Sequence, residues 1–333
     1  MWCKATGRWY TDSRLVLDGE GFGNMRVQGV HTSRIWWIQP ALLTALHLAM
    51  PIGLAGQDVA PRVYTPAPVG VNAISLVYAF STGAVLFDKT LPVENANGDI
   101  HSITGAYSRS IGVFGLAGRV DLVLPFVIGD WQGDVERTAT TTSRTGFGDP
   151  LARFALFFIG APALSRAEFA QFEPKTIVGA TLRLRLPLGQ YDADRLINLG
   201  SNRWMLSPQL GVSHVVGRFL LEAYAGVWFF TDNTELLGTN TFSQDPLLVF
   251  QVHAAYFFQR STWLVVSTRQ SLGGATSVNG GESANPEANN RIGLTLGLAV
   301  SARHSLRLAA TTGVTNTIGN DYDALSLAWS VAF

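Results

Sequence analysis

The last thirteen residues of the chain, 321–333, alternate between two kinds of side chain. Successive residues of a β-strand point to opposite faces of the sheet, so this pattern predicts a strand with one fully apolar face. A strand of about ten residues that ends on an aromatic residue is typical of a membrane β-barrel, whose outer face meets lipid. A soluble sheet shows the same alternation, so the rest of the chain must decide. The two sets are Leu325, Leu327, Trp329, Val331 and Phe333, and Ala324, Ser326, Ala328, Ser330 and Ala332.

The composition fits a membrane barrel better than the other classes of protein. Charged residues make up only 14% of the chain, whereas a soluble domain has roughly a quarter. The mean hydropathy of +0.19 is too low for a helical membrane protein, and it suits strands that are polar on one face. The 24 basic and 24 acidic residues cancel, so the net charge does not indicate a nucleic-acid partner.

The N-terminal region has the layout of a secretory signal peptide. Arg26 and Arg34 precede an apolar run at 35–55 that ends in small residues, an order that predicts export and cleavage. A membrane anchor is the alternative, because the run is about long enough to span a bilayer. Met25 would give a signal of ordinary length, so we expect translation to start there. The predicted organisation is a signal region at 1–55, a Pro-rich linker at 56–68 and a barrel at 69–333.

Twelve amphipathic segments follow the linker, and none shows the apolar spacing of a helix. Leu182 and Leu184 alternate with Arg183 and Arg185, which suits a wall between lipid and water. The connectors alternate between long and short, as in a barrel with short periplasmic turns and long outer loops. The predicted long connectors are roughly 81–98, 129–148, 189–203, 231–245 and 272–290. The predicted strands are 70–80, 99–111, 117–128, 149–160, 175–188, 204–216, 218–230, 246–258, 261–271, 291–301, 304–314 and 322–333.

Such a sheet must close on itself. Open edges would leave backbone N–H and C=O groups unpaired in hydrocarbon, at several kcal/mol for each group. The predicted fold class is therefore all-β, a closed antiparallel up-and-down transmembrane β-barrel of about twelve strands. Strand 322–333 should pair with 304–314 on one side and with 70–80 on the other.

Several short motifs follow one another along the chain. They are Gly146–Pro150, Pro187–Gly189, Asn198–Trp204 with Pro208, Gly226 with Phe229, Phe230 and Asn233, Asp245–Pro246, Gly273–Gly274, Asn290–Gly293 and the terminal Phe333. In the order of these motifs the chain resembles, over roughly 60–333, the outer-membrane transporter family named for the meta-pathway of phenol degradation. The resemblance implies an outer-membrane β-barrel that moves small, often aromatic or hydrophobic compounds. Phe333 also resembles the signal that the barrel-assembly machinery of Gram-negative bacteria recognises.

Charged residues on the inward-facing parity are candidates for lining the lumen. A lumen lined by guanidinium groups favours anionic or polarisable solutes. The structural alternative is that arginines and carboxylates cross-link the inside of the barrel and plug it with ion pairs. The candidates are Arg119, Asp121, Arg153, Arg183, Arg185, Glu222, Arg291 and Arg307.

A second set of candidates lies in one long loop, where Asn198, Asn202, Arg203 and Trp204 could contact solute at the mouth. Asn is also a common turn former and Trp a common interfacial residue, so a structural role is the alternative. The motif Gly146–Pro150 lacks the Lys and Ser or Thr of a phosphate loop, and we interpret it as the start of a strand.

The sequence does not predict catalysis. An outer-membrane phospholipase needs a Ser and a His on the same face of the barrel. Ser213 and His214 are adjacent and face opposite sides, as do His304 and Ser305, while His253 has alanines after it. The histidines are also too scattered for a metal cluster. We expect no enzymatic activity, no catalytic residue, no metal site and no cofactor.

The leading hypothesis is a passive outer-membrane channel for small solutes, exported by a cleaved signal peptide. No nucleotide site is recognisable, and the linker is too short for the plug domain of an energised receptor. The expected partners are the lipid bilayer, the barrel-assembly machinery and a small-molecule solute, without nucleic acid. A structural or adhesive surface barrel with a closed lumen is the alternative, and a phospholipase-like barrel enzyme is a third.

Overall fold

Thirteen antiparallel strands form the main sheet in the computed structural model, which describes residues 61–86, 93–281, 286–316 and 319–333. Two of these strands pair with successive parts of the same neighbour, so the wall has twelve strand positions. The predicted signal region, Met25 and the first residues of the linker lie outside the described residues. The elements are β1 (Asn72–Leu86), β2 (Val93–Val113), β3 (Leu116–Val135), β4 (Thr138–Phe147), β5 (Leu151–Ile159), α1 (Arg166–Phe169), β6 (Thr176–Arg185), β7 (Met205–Val216), β8 (Phe219–Phe230), β9 (Asn233–Leu236), β10 (Asn240–Gln244), β11 (Leu247–Gln259), β12 (Thr262–Gly273), β13 (Thr276–Val278), β14 (Glu287–Ala299), β15 (His304–Thr315) and β16 (Gly319–Ala332).

The sheet closes because its first and last long strands pair with each other. β16 pairs with β1 in a register from Ala73↔Ala332 to Leu86↔Gly319, and it pairs with β15 on its other side. β3 is long enough to pair with β2 along one side and with both β5 and β4 along the other. The pairing of β16 with β1 therefore closes the wall, as hydrocarbon requires of a membrane-spanning sheet. The predicted twelve-stranded closed barrel and the partners of its last strand are confirmed.

The wall has an apolar outer face and a polar or small-residue inner face. In β16, Leu325, Leu327 and Trp329 are exposed, while Ala328 and Ser330 are buried. The same alternation continues around the barrel: Leu221 is exposed on β8 and its neighbour Glu222 is buried. An outer face of this kind matches hydrocarbon, so the barrel has the surface of a membrane-spanning protein.

The two ends of the barrel differ in their connections. At the short-turn end, β7–β8 and β11–β12 are joined by the two-residue turns 217–218 and 260–261. At the long-loop end, connections of many residues join β6 to β7, β8 to β11 and β12 to β14. Here β9, β10 and β13 form a separate three-stranded sheet that the sequence analysis did not predict.

The connector at 129–148, predicted as a long loop, is instead a hairpin that extends the wall. β3 continues to Val135, and β4 returns in full register from Thr138 to Phe147. Glu136 and Arg137 both have positive φ angles, as the tight hairpin turn between such strands requires. The run of threonines in β4 favours extended backbone, although its side chains are mostly exposed and lack the apolar alternation used to find the other strands.

The connection between β5 and β6 is at the short-turn end but is longer than its neighbours, because it contains the helical turn α1. Ser165 accepts a hydrogen bond from the backbone N–H of Glu168, and the Glu168 carboxylate accepts one from the Ser165 backbone N–H. The Ser165 hydroxyl and backbone N–H lower the pKa of Glu168. Within the described parts of the chain, no helix is long and apolar enough to cross a membrane.

The backbone of Phe333 forms the last two hydrogen bonds at one end of the seam. Its N–H donates to the Asn72 carbonyl at 2.9 Å, and the Asn72 N–H donates to the Phe333 carbonyl at 3.0 Å. We predict that deleting Phe333 lowers the fraction of folded, membrane-inserted barrel, because both seam hydrogen bonds are lost with the aromatic ring. Heat-modifiable gel mobility of outer-membrane fractions measures this fraction.

The control is Phe333→Ala, which keeps both backbone bonds and removes only the ring. A deletion variant that assembles as well as the wild type would contradict the prediction.

Candidate functional site

A belt of charged and hydroxyl side chains crosses five neighbouring strands on the inner face of the barrel. The strand registers pair Ser108 with Asp121, Asp121 with Arg153, Arg153 with Arg183 and Arg183 with Ser207. Side chains directly opposite each other in paired strands are close enough to interact. We name these five residues the arginine belt.

The centre of the arginine belt is a carboxylate between two guanidinium groups. Asp121 is fully buried, and its Oδ2 atom lies 2.5 Å from Arg153 Nε and 3.2 Å from Arg119 Nε. Its Oδ1 atom accepts a hydrogen bond from Ser108 at 2.6 Å. Buried charges remain in place only when they are paired and hydrogen-bonded, so this cluster cross-links β2, β3 and β5.

The arginine belt continues with an arginine packed on an aromatic ring. Arg183 donates to the Ser207 hydroxyl at 2.8 Å, and its guanidinium lies 4.7 Å from the centre of the Trp228 ring. Such a cation–π contact stabilises the charge of a guanidinium group. The inner surface therefore combines guanidinium groups with aromatic faces.

Residues 61–71, which we name the lumen segment, lie inside the barrel. Pro68, in the part predicted as a linker, accepts a hydrogen bond from Ser110 of the wall, and Val69 donates to Leu164 at 2.8 Å. Deeper in the lumen, Arg119 donates to the Val63 carbonyl at 3.2 Å. Residues 61–68 of the predicted linker are thus part of the lumen filling at the short-turn end.

Tyr64 anchors the lumen segment. Its side chain is completely buried, and its hydroxyl donates to the Gln209 carbonyl and accepts from Thr181, both at 3.3 Å. The ring lies on Gly211 so closely that a Cβ atom there would overlap it. Burial of a side chain of this size contributes about 2 kcal/mol, so this residue is a main attachment point of the segment.

Arg62 makes the second attachment. Its backbone N–H donates to Glu222 Oε2 at 2.6 Å, and its guanidinium lies 5.0 Å from the Trp263 ring and 5.4 Å from the Phe257 ring. The next residue, Val63, donates to the Tyr224 hydroxyl at 3.1 Å. Glu222, predicted as a lumen-lining residue, therefore binds the lumen segment.

Next to these contacts lies His253, a histidine to which the sequence analysis gave no role. The registers place His253 opposite both Glu222 and Ser267, and its Nδ1 atom lies 2.8 Å from the Ser267 hydroxyl. His253 is buried and its ring packs on Tyr224 at 4.8 Å between centres. Its relevant neighbours lie across strands, whereas sequence reasoning considered only its neighbours along the chain.

The long-loop end is organised by Asp149 of the Gly146–Pro150 motif. Its carboxylate accepts hydrogen bonds from the Gly189 N–H and the Ser201 N–H, both at 2.9 Å, and from the Ser201 hydroxyl at 2.5 Å. The motif lies between β4 and β5 of the wall. Through these hydrogen bonds, the Asp149 carboxylate joins the β6–β7 loop to the wall. Leu199 of this loop packs with the inward-facing Ile100, Val127 and Tyr322, so the loop reaches into the lumen.

The four predicted loop-mouth residues have different surroundings. Asn198 bonds to Asp192 and Arg195 within its own loop, and Asn202 bonds to Asn233 and Glu235. Asn198 thus fixes the shape of its own loop, and Asn202 joins the β6–β7 loop to β9. Trp204 is nearly half exposed on the outer face.

Arg203 is the buried member of the loop-mouth set. Its guanidinium lies between the Phe230 and Phe242 rings, 4.6 and 4.9 Å from their centres, and donates to Gln244 at 2.6 Å. Burial lowers the pKa of Arg203 to about 10, while Asp232 and Asp149 oppose the shift. The group therefore stays charged at neutral pH.

The remaining predicted lumen residues are spread over both ends of the barrel. Arg291 donates to the Tyr322 carbonyl toward the long-loop end, and Arg185 lies at the end of β6. Arg307 is buried on the inner face of β15. All eight lumen candidates are buried or half-buried on the inner face.

Sequence reasoning missed Arg269, a buried inner residue of β12. It shares the parity of the buried Val265, Ser267 and Ser271, so the alternation rule could have found it. Arg62 and Tyr64 had no such signal, because they precede the first strand. Throughout 61–86, 93–281, 286–316 and 319–333, no three His, Cys, Asp or Glu side chains form a group that could hold a metal ion.

A family model described as "Putative MetA-pathway of phenol degradation" matches residues 93–329, well over half of the chain. No curated protein matches the chain in sequence.

Several solved structures are similar in fold. The COG4313 outer membrane channel from Pseudomonas putida F1 has a TM-score of 0.67 and 20% identity, over 82% of this chain and 99% of that one. The NanC porin has a TM-score of 0.45 and 7% identity, over 78% and 98% of the two chains. The CymD monoaromatic hydrocarbon channel has a TM-score of 0.42 and 9% identity, over 80% and 89%. The first similarity supports the barrel fold, and the two weaker ones carry no argument.

The carboxylate at the centre of the arginine belt should be essential for stability. We predict that Asp121→Asn lowers the free energy of unfolding by about 3 kcal/mol, because it leaves Arg119 and Arg153 buried without their counter-charge. Urea-induced unfolding of the barrel in lipid vesicles measures the change.

Asp192→Asn is the matched control. Asp192 pairs with Arg195 at 2.8 Å, but both side chains are about half exposed, so its loss should cost less than about 1 kcal/mol. Equal losses of stability in the two variants would show that Asp121 does not hold the belt together.

The close contact between the Tyr64 ring and Gly211 gives a prediction about the lumen segment. Gly211→Ala should displace the Tyr64 ring, because the new Cβ atom would occupy the position of the ring. We expect the single-channel conductance in planar bilayers to rise, since the displaced segment no longer fills the short-turn end.

Gly105→Ala is the control, because a Cβ atom there meets no other atom within 4 Å. Adding Tyr64→Ala to Gly211→Ala should change the conductance little further, since both changes release the same anchor. A conductance equal to the wild type in Gly211→Ala would mean that the segment does not obstruct passage.

Proposed function

The chain belongs to the protein family described as "Putative MetA-pathway of phenol degradation", and from this premise we propose that it is an outer-membrane channel for small solutes. Passage is passive, and the solutes include aromatic compounds, as the family description suggests. One observation carries the proposal: the lumen is obstructed by a separate segment of chain held through hydrogen bonds and packing. A segment held in this way can be displaced while the strands of the wall stay as they are.

The proposed location is the bacterial outer membrane. A closed barrel with an apolar outer face needs a bilayer around it, and the signal region predicted at 1–55 would direct export. The barrel-assembly machinery is the proposed partner for insertion, with Phe333 as its recognition signal. The net charge of zero does not indicate a nucleic-acid partner.

The lumen segment is the proposed gate of this channel. It enters at the short-turn end, and the attachments of Tyr64 and Arg62 are a few hydrogen bonds and ring contacts to the wall. A solute crossing the barrel at this end must displace it. At the other end the β6–β7 loop narrows the mouth through Leu199, so we propose that passage is slow and limited to small molecules.

The side chains inside the lumen support passage of a solute that is not chemically converted. His253 contacts Ser267 through Nδ1 at 2.8 Å, and both residues are buried on the inner face under the lumen segment. A phospholipase-like site would need its serine within reach of lipid outside the barrel. We therefore propose that His253 and Ser267 keep Tyr224 and Glu222 in position. Tyr224 and Glu222 in turn bind the lumen segment.

A structural or adhesive barrel is the second candidate. It is favoured by the same filling of the lumen, since Asp121, Arg119 and Arg153 cross-link the wall as a permanent closure would. The two functions differ in whether removal of the lumen segment opens a path.

Truncation of the lumen segment tests the proposal. A chain that begins at Pro68 behind an export signal should raise the rate of liposome swelling several-fold for small neutral and aromatic solutes, because the short-turn end is then open. Tyr64→Ala should act in the same direction with a smaller effect.

Tyr78→Ala is the control, because Tyr78 lies on the outer face and contacts His101. Swelling rates that stay at the level of protein-free liposomes for both the wild type and the truncated chain would favour the structural barrel.

A further inference from the structure

The wall of the barrel forms a slot in which the Tyr64 ring lies. The strand registers place Phe157 opposite Gly179, Gly179 opposite Gly211, and Gly211 opposite Tyr224. A row of two glycines between two aromatic residues therefore crosses β5, β6, β7 and β8, and all four residues are buried on the inner face. We name these four residues the ring slot.

The ring slot has the shape of an aromatic ring. The centre of the Tyr64 ring lies 6.1 Å from that of Phe157 at an interplanar angle of 66°, and 4.9 Å from that of Tyr224 at 58°. Such inclined arrangements are favourable between aromatic rings. A Cβ atom added at Gly179 or at Gly211 would overlap the Tyr64 ring. The two glycines thus leave the space that the ring fills.

The polar end of the ring slot matches a phenol hydroxyl. The Tyr64 hydroxyl donates to the Gln209 carbonyl, and it accepts from Gln209 Nε2 and from the Thr181 hydroxyl, all at 3.3 Å. Thr181 and Gln209 lie opposite each other in the register, next to the two glycines on the same face. A phenol both donates and accepts hydrogen bonds, so the wall satisfies both capacities of the hydroxyl.

These recognising groups belong to strands of the wall, whereas the ring belongs to the lumen segment. The slot therefore persists when the segment is displaced. A free molecule with a phenol group meets the same glycines, rings and hydrogen-bond partners that Tyr64 meets. A ligand that binds better to one of two states of a protein shifts the population toward that state.

We propose that the ring slot is a binding site for a small phenol, and that Tyr64 occupies this site as an intramolecular competitor. A phenol that binds there takes the place of the Tyr64 ring and releases the main attachment of the lumen segment. The solute thereby opens its own path through the barrel. The opening step rests on the proposed channel function, but the binding step does not.

Trypsin cleavage after Arg62, in the folded full-length protein in detergent, measures release of the lumen segment. Arg62 is buried in the lumen, so the protease reaches it only when the segment has left. The probes are p-cresol and toluene, which reproduce the side chains of Tyr and Phe. We expect p-cresol to raise the cleavage rate of the wild type several-fold. Toluene should leave the rate near its basal value, because it leaves the hydrogen-bonding groups of the slot unpaired.

Titration calorimetry with matched detergent blanks measures binding to the slot itself. Tyr64→Ala should bind p-cresol roughly tenfold more tightly than the wild type does, because the competitor is gone. Adding Gly211→Ala should abolish this binding, since the new Cβ atom occupies the position of the ring. Adding Thr181→Val instead keeps the shape and should bring the affinities for p-cresol and toluene closer together, which keeps the test valid if Gly211→Ala folds poorly.

Tyr78→Ala is the control for loss of a tyrosine, because Tyr78 lies on the outer face. It should match the wild type in p-cresol binding and in cleavage. Equal responses of the wild type to the two probes would overturn the proposal. Binding of p-cresol that occurs only after truncation of Tyr64, with wild-type cleavage unchanged, would show a cavity made by the variant and would also overturn it.

The tests of the slot are separate from the test of passage. Cleavage that responds to p-cresol, without solute uptake by the wild type or the truncated chain, would support the site and contradict the channel. Solute uptake by the truncated chain, without any effect of p-cresol on cleavage or binding, would support the channel and contradict the site.

Discussion

In a bilayer, every backbone N–H and C=O group that leaves water must find its partner within the protein. This constraint shapes the whole structure, because an amphipathic sheet can satisfy it only by closing. β1 and β16 close this sheet along fourteen paired positions, and the seam ends with the mutual bonds of Asn72 and Phe333. Once closed, the wall divides each strand into a face toward lipid and a face toward an interior.

Closure also creates the interior that the protein must then fill. A twelve-stranded barrel has room for more than its own small side chains, and here the arginine belt, the lumen segment and the β6–β7 loop share that space. The filling differs at the two ends. Wall residues such as Asp121 form a cross-link that should persist, whereas the lumen segment is attached at a few points and can be displaced. This difference is the basis of the proposed channel with a removable obstruction.

The strands and the inward parity of the charged residues were accessible from the sequence. Alternation with a period of two is a local property, so Arg183, Glu222 and Arg307 could be assigned to the lumen without any knowledge of their neighbours. The hairpin at 129–148 was missed because β4 is exposed on both faces and carries no apolar alternation. Asn198 and Asn202 could be found but not interpreted, since a turn and a solute site use the same residue types.

The sequence by itself determined the fold class, the boundaries of most strands and the face to which each side chain points, because these depend on local periodicity and on the demand for closure. The tertiary structure alone decided which inward residues meet. Asp121 joins Arg119 and Arg153, and His253 meets Ser267, through strand registers that periodicity does not specify. It also decided that Arg62 and Tyr64 lie inside the lumen, because a segment without regular structure is placed by its contacts and not by its pattern.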